Sequence, residues 1–564
     1  MDQPSANPQR SYTRGSQDKA LLAMTIGQKF DQTVAQCPDS EALVVRHQQL
    51  RYSWRQLADA VDVHARALLA LGLQAGDRLG IWAPNCAEWC ITQFATAKIG
   101  VILVNVNPAY RSSELEYVLK QSGCQWLVCA GAFKSSNYHG MLQGLVPELA
   151  EQSIGQLRSE RLPELRGVIS LDAQPPSGFL PWSQLTDMAA SVTPQQLSER
   201  SNSLHFDQPV NIQYTSGTTG FPKGATLSHY NILNNGYMVG ESIGLTPHDR
   251  LVIPVPLYHC FGMVMGNLGC VTHGSTMIYP NDAFDPLLTL QTVAEEKATG
   301  LYGVPTMFIA MLDQPQRAEF DLSSLRTGIM AGATCPIEVM RRVISEMHMS
   351  EVQIAYGMTE TSPVSLQTGP NDELELRVTT VGRTQPQLES KIIDEAGNLV
   401  PRGTIGELCT RGYSVMLGYW QNPQATAEAI DEAGWMHTGD LASMNEEGYV
   451  NIAGRNKDMI IRGGENVYPR ELEEFFFTHP AVADVQVIGI PCSRYGEEIV
   501  AWIKFHPGHN ASELELQTWC KERIAHFKTP RHFKFVEEFP MTVTGKIQKF
   551  RMREISIEEL KMVR

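Results

Sequence analysis

Cysteine is sparse, eleven in 564 residues. No pair has Cys-x-x-Cys spacing. The closest, Cys86/Cys90 and Cys124/Cys129, are wider, and no Cys/His cluster has the spacing of a zinc site. Neither a disulfide framework nor a structural zinc is expected, and the thiols read as reduced, mostly buried small residues. Long hydrophobic runs are missing too. The apolar stretch around Gly100–Val106 falls far short of the roughly 20 residues of a membrane span. Met1 to Lys19 is polar, with Asp2, Arg10, Arg14 and Asp18, and has no apolar core of a signal peptide. Its acids also speak against a transit peptide. The expected setting is the cytosol, with the mitochondrial matrix as the weaker alternative, and the Asn510-Ala511-Ser512 sequon then carries no meaning. Positive charge is not in excess. With 46 Lys and Arg against 61 Asp and Glu, the net charge of −15 makes a general nucleic-acid binder a poor reading. It leaves room for a locally positive site for a small anion. Internal repeats and low-complexity tracts are absent.

What is present is ordinary for a folded enzyme: 43% hydrophobic and 19% charged residues. The length suggests two to four structural units. Ser53-Trp54-Arg55-Gln56 is a capping-box pattern, followed by Leu57, Val61, Leu68 and Leu71 near one helical face and a stop at Gly72. Strand-like Arg78–Ala83, a helix over Ala87–Lys98 and strand-like Val101–Val106 continue the alternation, which implies helix-flanked sheets. The polar, Pro-rich Ser153–Gln208 is expected to run over the surface. Gly403 to Gly448 reads as Gly-rich and loop-dense. Near residue 455 the pattern turns to compact α+β: a helix from Pro469 to about Thr478, strands at Val482–Ile490 and Ile499–Phe505, a helix over Leu514–His526 and a strand at His532–Val536. The fold class expected is α/β, with a large N-terminal domain (1–456) of helix-flanked sheets joined by a hinge to a smaller α+β domain (457–564).

The most informative string is Tyr214-Thr215-Ser216-Gly217-Thr218-Thr219-Gly220-Phe221-Pro222-Lys223-Gly224, after an apolar segment that reads as a strand. Glycines let backbone N–H groups face one point, and hydroxyls add donors, a combination suited to phosphate oxygens. It is not a Walker loop, because Lys223 is flanked by Pro222 and Gly224 rather than by the Gly-Lys-Ser/Thr that opens a helix.

This string resembles the signature of the adenylate-forming superfamily of acyl-CoA synthetases, luciferases and adenylation domains. Further segments match in order: Ala331-Gly332-Ala333, Tyr356-Gly357-Met358-Thr359-Glu360, His437-Thr438-Gly439-Asp440, Gly454-Arg455-Asn456-Lys457-Asp458 and Pro540-Met541-Thr542-Val543-Thr544-Gly545-Lys546. Taken singly, Thr-Gly-Asp is an ordinary turn and Gly-Lys a solvated loop. The ordered set is what carries the resemblance. It implies that Thr215 through Gly220 and Lys223 hold the leaving phosphates and that Gly332 and Ala333 line the adenine and the acyl carboxylate. It implies that Tyr356 and Gly357 lie on the adenine, Thr359 meets the α-phosphate, and Glu360 holds Mg2+. Asp440 would accept from the ribose hydroxyls, Arg455 reach the ribose and phosphate, Lys457 mark the hinge, and Lys546 act at the reaction centre. Gly463 and Gly464, within Arg462-Gly463-Gly464-Glu465-Asn466, would line a pantetheine channel, where glycine lets a narrow thiol arm pass close to the backbone.

The chemistry so implied joins a carboxylate to AMP and then passes the acyl group to the thiol of coenzyme A, with ATP, Mg2+ and CoA required. It needs no enzyme nucleophile, only preorganised positive charge and donors around the phosphorus. Pro256-Leu257-Tyr258-His259-Cys260-Phe261-Gly262 resembles the segment where an aromatic residue or His gates the acyl site, and His259 is expected to orient the carboxylate, although a packed core histidine is the plain alternative. With Met263, Val264 and Met307, the acyl lining reads as apolar and lacks Arg or Lys, which disfavours dicarboxylates and amino acids. Arg462 to Glu471 looks most like medium-chain fatty-acyl-CoA synthetases. A medium-chain fatty acid–CoA ligase is therefore expected. An aryl- or terpenoid-acid CoA ligase, an adenylation enzyme loading a carrier protein and a silent nucleotide sensor are the alternatives. Expected partners are the small acid, ATP and CoA, with no nucleic acid and no integral membrane segment; the oligomeric state is left open, a homodimer included.

Overall fold

A computed structural model describes residues 10–215, 222–333, 335–455, 458–462, 465–492, 494–521, 523–524, 526–541 and 547–562. The capping box is real. Ser53 accepts from the Gln56 amide, Gln56 reaches back to Ser53, and the helix runs Trp54–Ala70. Strand Arg78–Trp82, helix Ala87–Ile99 and strand Ile102–Asn105 follow as expected. Nearly every residue of that helix is buried, so it has no polar face and packs as a core element among neighbouring helices and strand Ile102–Asn105.

Two large sheets organise the first domain. One has eight strands. Phe179–Pro181, Gly167–Ser170, Trp126–Cys129, Arg78–Trp82, Ile102–Asn105 and Pro209–Thr215 run parallel, and Lys223–Ser228 and Gly418–Tyr419 close the edge antiparallel. The other has nine, with a parallel centre from Glu351–Gly357 through Thr327–Ala331, Gly300–Gly303, Arg250–Val252 and Thr276–Tyr279 to Glu41–Val45. These parallel strands are buried on both faces, which is why they read as apolar runs rather than alternations. A third, antiparallel sheet joins Tyr12–Arg14, Leu388–Ile393, Gly406–Gly412, Met436–Met444 and Val450–Arg455.

Two expectations are corrected here. Ser153–Gln208 is not only surface chain: Gly167–Ser170 and Phe179–Pro181 complete the eight-stranded sheet, and Pro194–Asn202 is a helix. These strands are too short and too closely flanked by proline for their pattern to stand out. Gly403 to Gly448 is not loop-dense, since it supplies two strands of the third sheet, and its glycines lie largely at turns and strand ends.

The smaller domain pairs Val482–Cys492 with Gly496–Phe505 in one long hairpin, with His532–Phe535 parallel beside it. Helices Pro469–Phe477 and Glu513–Lys521 pack one face around Phe476, Val485 and Ile503, and helix Lys549–Met562 packs the other around Ile488, Trp502 and Met552. The helix expected to reach His526 stops at Lys521. A large domain of helix-flanked sheets and a smaller α+β domain are thus present, as expected; Asn456 and Lys457, on either side of the expected boundary, lie outside the described residues. All eleven cysteines are free and all but Cys37 and Cys492 are buried.

Candidate active site

Open α/β sheets present ligand sites beyond the carboxyl ends of their strands. Here the ends of Pro209–Thr215, Thr327–Ala331 and Glu351–Gly357 carry the motif residues. Glu360 sits in the short turn Thr359–Thr361 after the last of these and is only 6% exposed. The Thr215 hydroxyl donates to its Oε1 at 3.3 Å, across 145 residues of chain. The Tyr419 hydroxyl donates to the same oxygen at 2.8 Å. Burial, and then the Glu360 carboxylate, hold the Tyr419 phenol well above its usual range, so it stays a donor. The Lys223 ammonium lies 5.1 Å from the centre of the Tyr419 ring. Thr359, half-buried, occupies the first position of the same turn. The preceding Gly357 is required by space, because a Cβ there would stand 1.7 Å from the Pro363 carbonyl oxygen.

A second cluster forms around Asp440. The Tyr356 hydroxyl donates to Asp440 Oδ2 at 2.5 Å, so two segments far apart in the chain meet. Asp440 faces Arg455 across the third sheet in backbone register. The approach to Asp440 is fastened by a neighbouring strand. Glu407 Oε1 accepts the Gly439 amide at 3.1 Å, Glu407 Oε2 lies 3.0 Å from His437 Nδ1, and the Thr438 hydroxyl donates to the Leu408 carbonyl at 2.6 Å. Glu407, Cys409 and His437 bring ligand atoms within 4.8 Å of one another. Burial pushes the Cys409 thiol up to about 12, and His437 already engages Glu407, so the trio reads as a loop fastening rather than a metal centre.

His259 is half-buried rather than sealed in the core, its ring 4.2 Å from that of Tyr258. It precedes an eight-residue π-helix, Phe261–Leu268, a geometry found mostly at functional sites. The neighbouring Cys260 thiol reaches Gln213 at 3.3 Å on strand Pro209–Thr215, and burial raises it. Met263, Val264 and Met307 are buried in the main core. Their surroundings are not wholly apolar: the Met263 sulfur accepts from Asn105 and Gln213, and Asn211 links those two amides. Gly332 and Ala333 are exposed at the end of strand Thr327–Ala331. From the smaller domain, Arg470 donates to the Ile452 carbonyl at 2.9 Å.

The structure therefore brings together Thr215, Lys223, Thr359 and Glu360 in one cluster and Tyr356, Gly357 and Asp440 in another. Ser216, Gly217, Thr218, Thr219, Gly220, Gly463, Gly464 and Lys546 lie outside the described residues, as does the side chain of Arg455. Sequence reading missed Tyr419, Glu407 and Gln213. Only a Gly418-Tyr419 pair lying between two motifs hinted at the first, and nothing in spacing pointed to the others. The string Gly240-Glu241-Ser242-Ile243-Gly244 spells a nucleophile-elbow pattern. Ser242, however, ends a helix and donates to Gln353 at 2.9 Å, rather than standing on a strand-to-helix turn.

A family model described as AMP-binding enzyme matches residues 30–420, and one described as AMP-binding enzyme C-terminal domain matches residues 471–546. The chain is 47% identical over 554 residues to the human mitochondrial medium-chain acyl-CoA ligase ACSF2, covering 96% of this chain and 89% of that protein. Among solved structures it is similar to the anthranilate CoA ligase AuaEII in complex with anthranoyl-AMP, with a TM-score of 0.84 and 25% identity over 96% of this chain and 99% of that one. It is also similar to ATP-bound MatB from Rhodopseudomonas palustris, with a TM-score of 0.81 and 28% identity over 94% and 99%.

Proposed function

We propose, for a chain that belongs to the AMP-binding enzyme family, that it is an ATP-dependent, AMP-forming acid–CoA ligase whose acids are medium-chain fatty acids. The activity class follows the family and its ligase relatives; the chain length rests on the 47% identity to a medium-chain acyl-CoA ligase and on the buried Met263, Val264 and Met307. The observation that carries the site reading is the convergence of the Thr215 and Tyr419 hydroxyls on the Glu360 carboxylate beside Lys223.

In the first half-reaction a carboxylate oxygen attacks the α-phosphorus of ATP. An O–P bond forms, the bond to the β-phosphate oxygen breaks, and pyrophosphate leaves. The obstacle is the approach of one anion to another, so donors and cations that are already in place lower the barrier. Thr215 through Gly220 and Lys223 would hold the leaving phosphates, Thr359 the α-phosphate, and Lys546 the incoming carboxylate and the same phosphate. A buried carboxylate among hydroxyl oxygens is a hard-oxygen donor set that suits Mg2+, so Glu360 would hold the ion, which when bound neutralises phosphate charge. Tyr356, Gly357, Gly332 and Ala333 would take the adenine, and Asp440 and Arg455 the ribose. His259 would orient the acid.

In the second half-reaction the CoA sulfur attacks the acyl carbon. A C–S bond forms, the bond to AMP oxygen breaks, AMP leaves, and the thiol proton is released. Domain 457–564 would turn about Lys457 between the two halves and present Gly463 and Gly464 to the pantetheine arm. The setting proposed is the cytosol, with the mitochondrial matrix second. The test is AMP release by the purified chain with ATP, Mg2+ and CoA against linear acids of increasing length, with branched and aromatic controls. The expected result is acid-dependent AMP release that peaks at medium chain length. No acid-dependent AMP overturns the activity, and an aromatic optimum overturns the substrate.

A further inference from the structure

Segment Met416–Trp420 is a strut between the two halves of the phosphate site. On one side it pairs antiparallel with the strand that carries Lys223: Ala225 pairs with Tyr419, the Leu417 amide donates to the Thr226 carbonyl at 2.9 Å, and the Trp420 amide donates to the Gly224 carbonyl at 2.7 Å. On the other side the Met416 amide donates to the Glu360 carbonyl at 2.9 Å. Gly418 makes the bend possible. Its φ of +141° belongs to glycine, and a Cβ would stand 2.9 Å from the Thr426 methyl. The bend turns the Tyr419 side chain toward Glu360. Among the described residues, both hydrogen bonds to that carboxylate fall on Oε1.

We propose that Tyr419 is a positioning residue that links the two charged groups of the phosphate site, its hydroxyl fixing the Glu360 carboxylate and its ring seating the Lys223 ammonium. The inference rests on the functional reading above, which assigns those groups to Mg2+ and to phosphate. A tyrosine suits both tasks. Its phenol offers one donor, and its face attracts a cation without neutralising it. A single ring thereby sets the separation of a negative and a positive group, which an ion pair between them would instead collapse.

The test is calorimetric titration of ATP into the full-length protein without acid or CoA, in EDTA and across a magnesium series, supported by steady-state kinetics. Tyr419→Phe keeps the ring and removes the hydroxyl. In EDTA its ATP affinity stays within about twofold of wild type, because no hydrogen bond to ATP is lost. The affinity gained from Mg2+ falls about tenfold, as expected for one hydrogen bond to a charged group. Half-saturating Mg2+ rises accordingly. Tyr419→Leu also weakens binding in EDTA by about two- to fivefold, through loss of the seat for Lys223. In the double variant with Glu360→Gln, Tyr419→Phe causes no further loss of the Mg2+ gain, which a merely structural defect would add to. A full Mg2+ gain in Tyr419→Phe, an equal loss with and without Mg2+, or additivity with Glu360→Gln overturns the inference alone. Wild-type protein that fails to bind ATP overturns the functional reading and the inference with it.

Discussion

Glu360 and Asp440 each accept a tyrosine hydroxyl, from Tyr419 and Tyr356, yet they are held in opposite ways. Glu360 is buried, its two donors among the described residues fall on one oxygen, and it sits in a turn at the end of a parallel strand. Asp440 is half-exposed on an antiparallel strand, and its approach is tied down by Glu407 rather than by burial. A buried carboxylate with few donors suits a cation, since little competes for its charge. A half-exposed one suits neutral hydroxyl donors such as those of a ribose. The same pairing of a carboxylate with a tyrosine hydroxyl thus stands in two environments that differ in solvent access.

Four substitutions break or sharpen this contrast. The largest effect is expected from Glu360→Gln, which removes the charge offered to Mg2+; acid-dependent pyrophosphate exchange falls about a hundredfold or more, in the range of losing a preorganised electrostatic group. Asp440→Asn keeps the shape but weakens acceptance from the ribose. KM for ATP rises about tenfold in steady-state assays, and the magnesium dependence is unchanged. If the two variants show the same magnesium response, the contrast is wrong. Glu407→Gln should act on Asp440 alone, raising KM for ATP about fivefold and leaving the Mg2+-dependent gain intact. The smallest effect lies away from both carboxylates. Burial pushes the Asp484 carboxyl up to about 6 from its ordinary 3.8, although some of its surface remains exposed. An acid that binds its proton more tightly in the folded state contributes stability below about 3.8 that is lost as pH rises through about 6. Asp484→Asn should flatten that decline, read as the melting temperature between these pH values, with no change in ATP affinity.

Much of this arrangement was legible because it is local. Ser53 and Gln56 lie three residues apart, and the cap they form needs no tertiary context. The buried parallel strands announce themselves as apolar runs. The motif residues Thr215, Glu360, Tyr356 and Asp440 were found one segment at a time, and their ordered occurrence was enough to expect them together. Tyr419 was not legible, because its role depends on a pairing of Gly418–Tyr419 with Lys223–Ser228 across nearly two hundred residues of chain. Glu407 was missed for the same reason, since its partners His437 and Gly439 come from the next strand of a sheet in a region read as loops. The amide row Asn105, Asn211 and Gln213 is hidden inside segments that otherwise look like plain core. Helix Lys549–Met562 escaped because its charged residues blur any apolar stripe.

The pattern of thiol burial has a practical use. Cys37 belongs to the large domain and Cys492 to the small one, and they alone keep partial access to solvent among the eleven cysteines. Burial raises the Cys37 thiol, which slows its reaction with a maleimide at neutral pH, and both thiols should react ahead of the nine buried ones. Sequential attachment of donor and acceptor fluorophores would then need no engineered cysteine, and energy transfer between them would follow any turning of one domain against the other through the catalytic cycle.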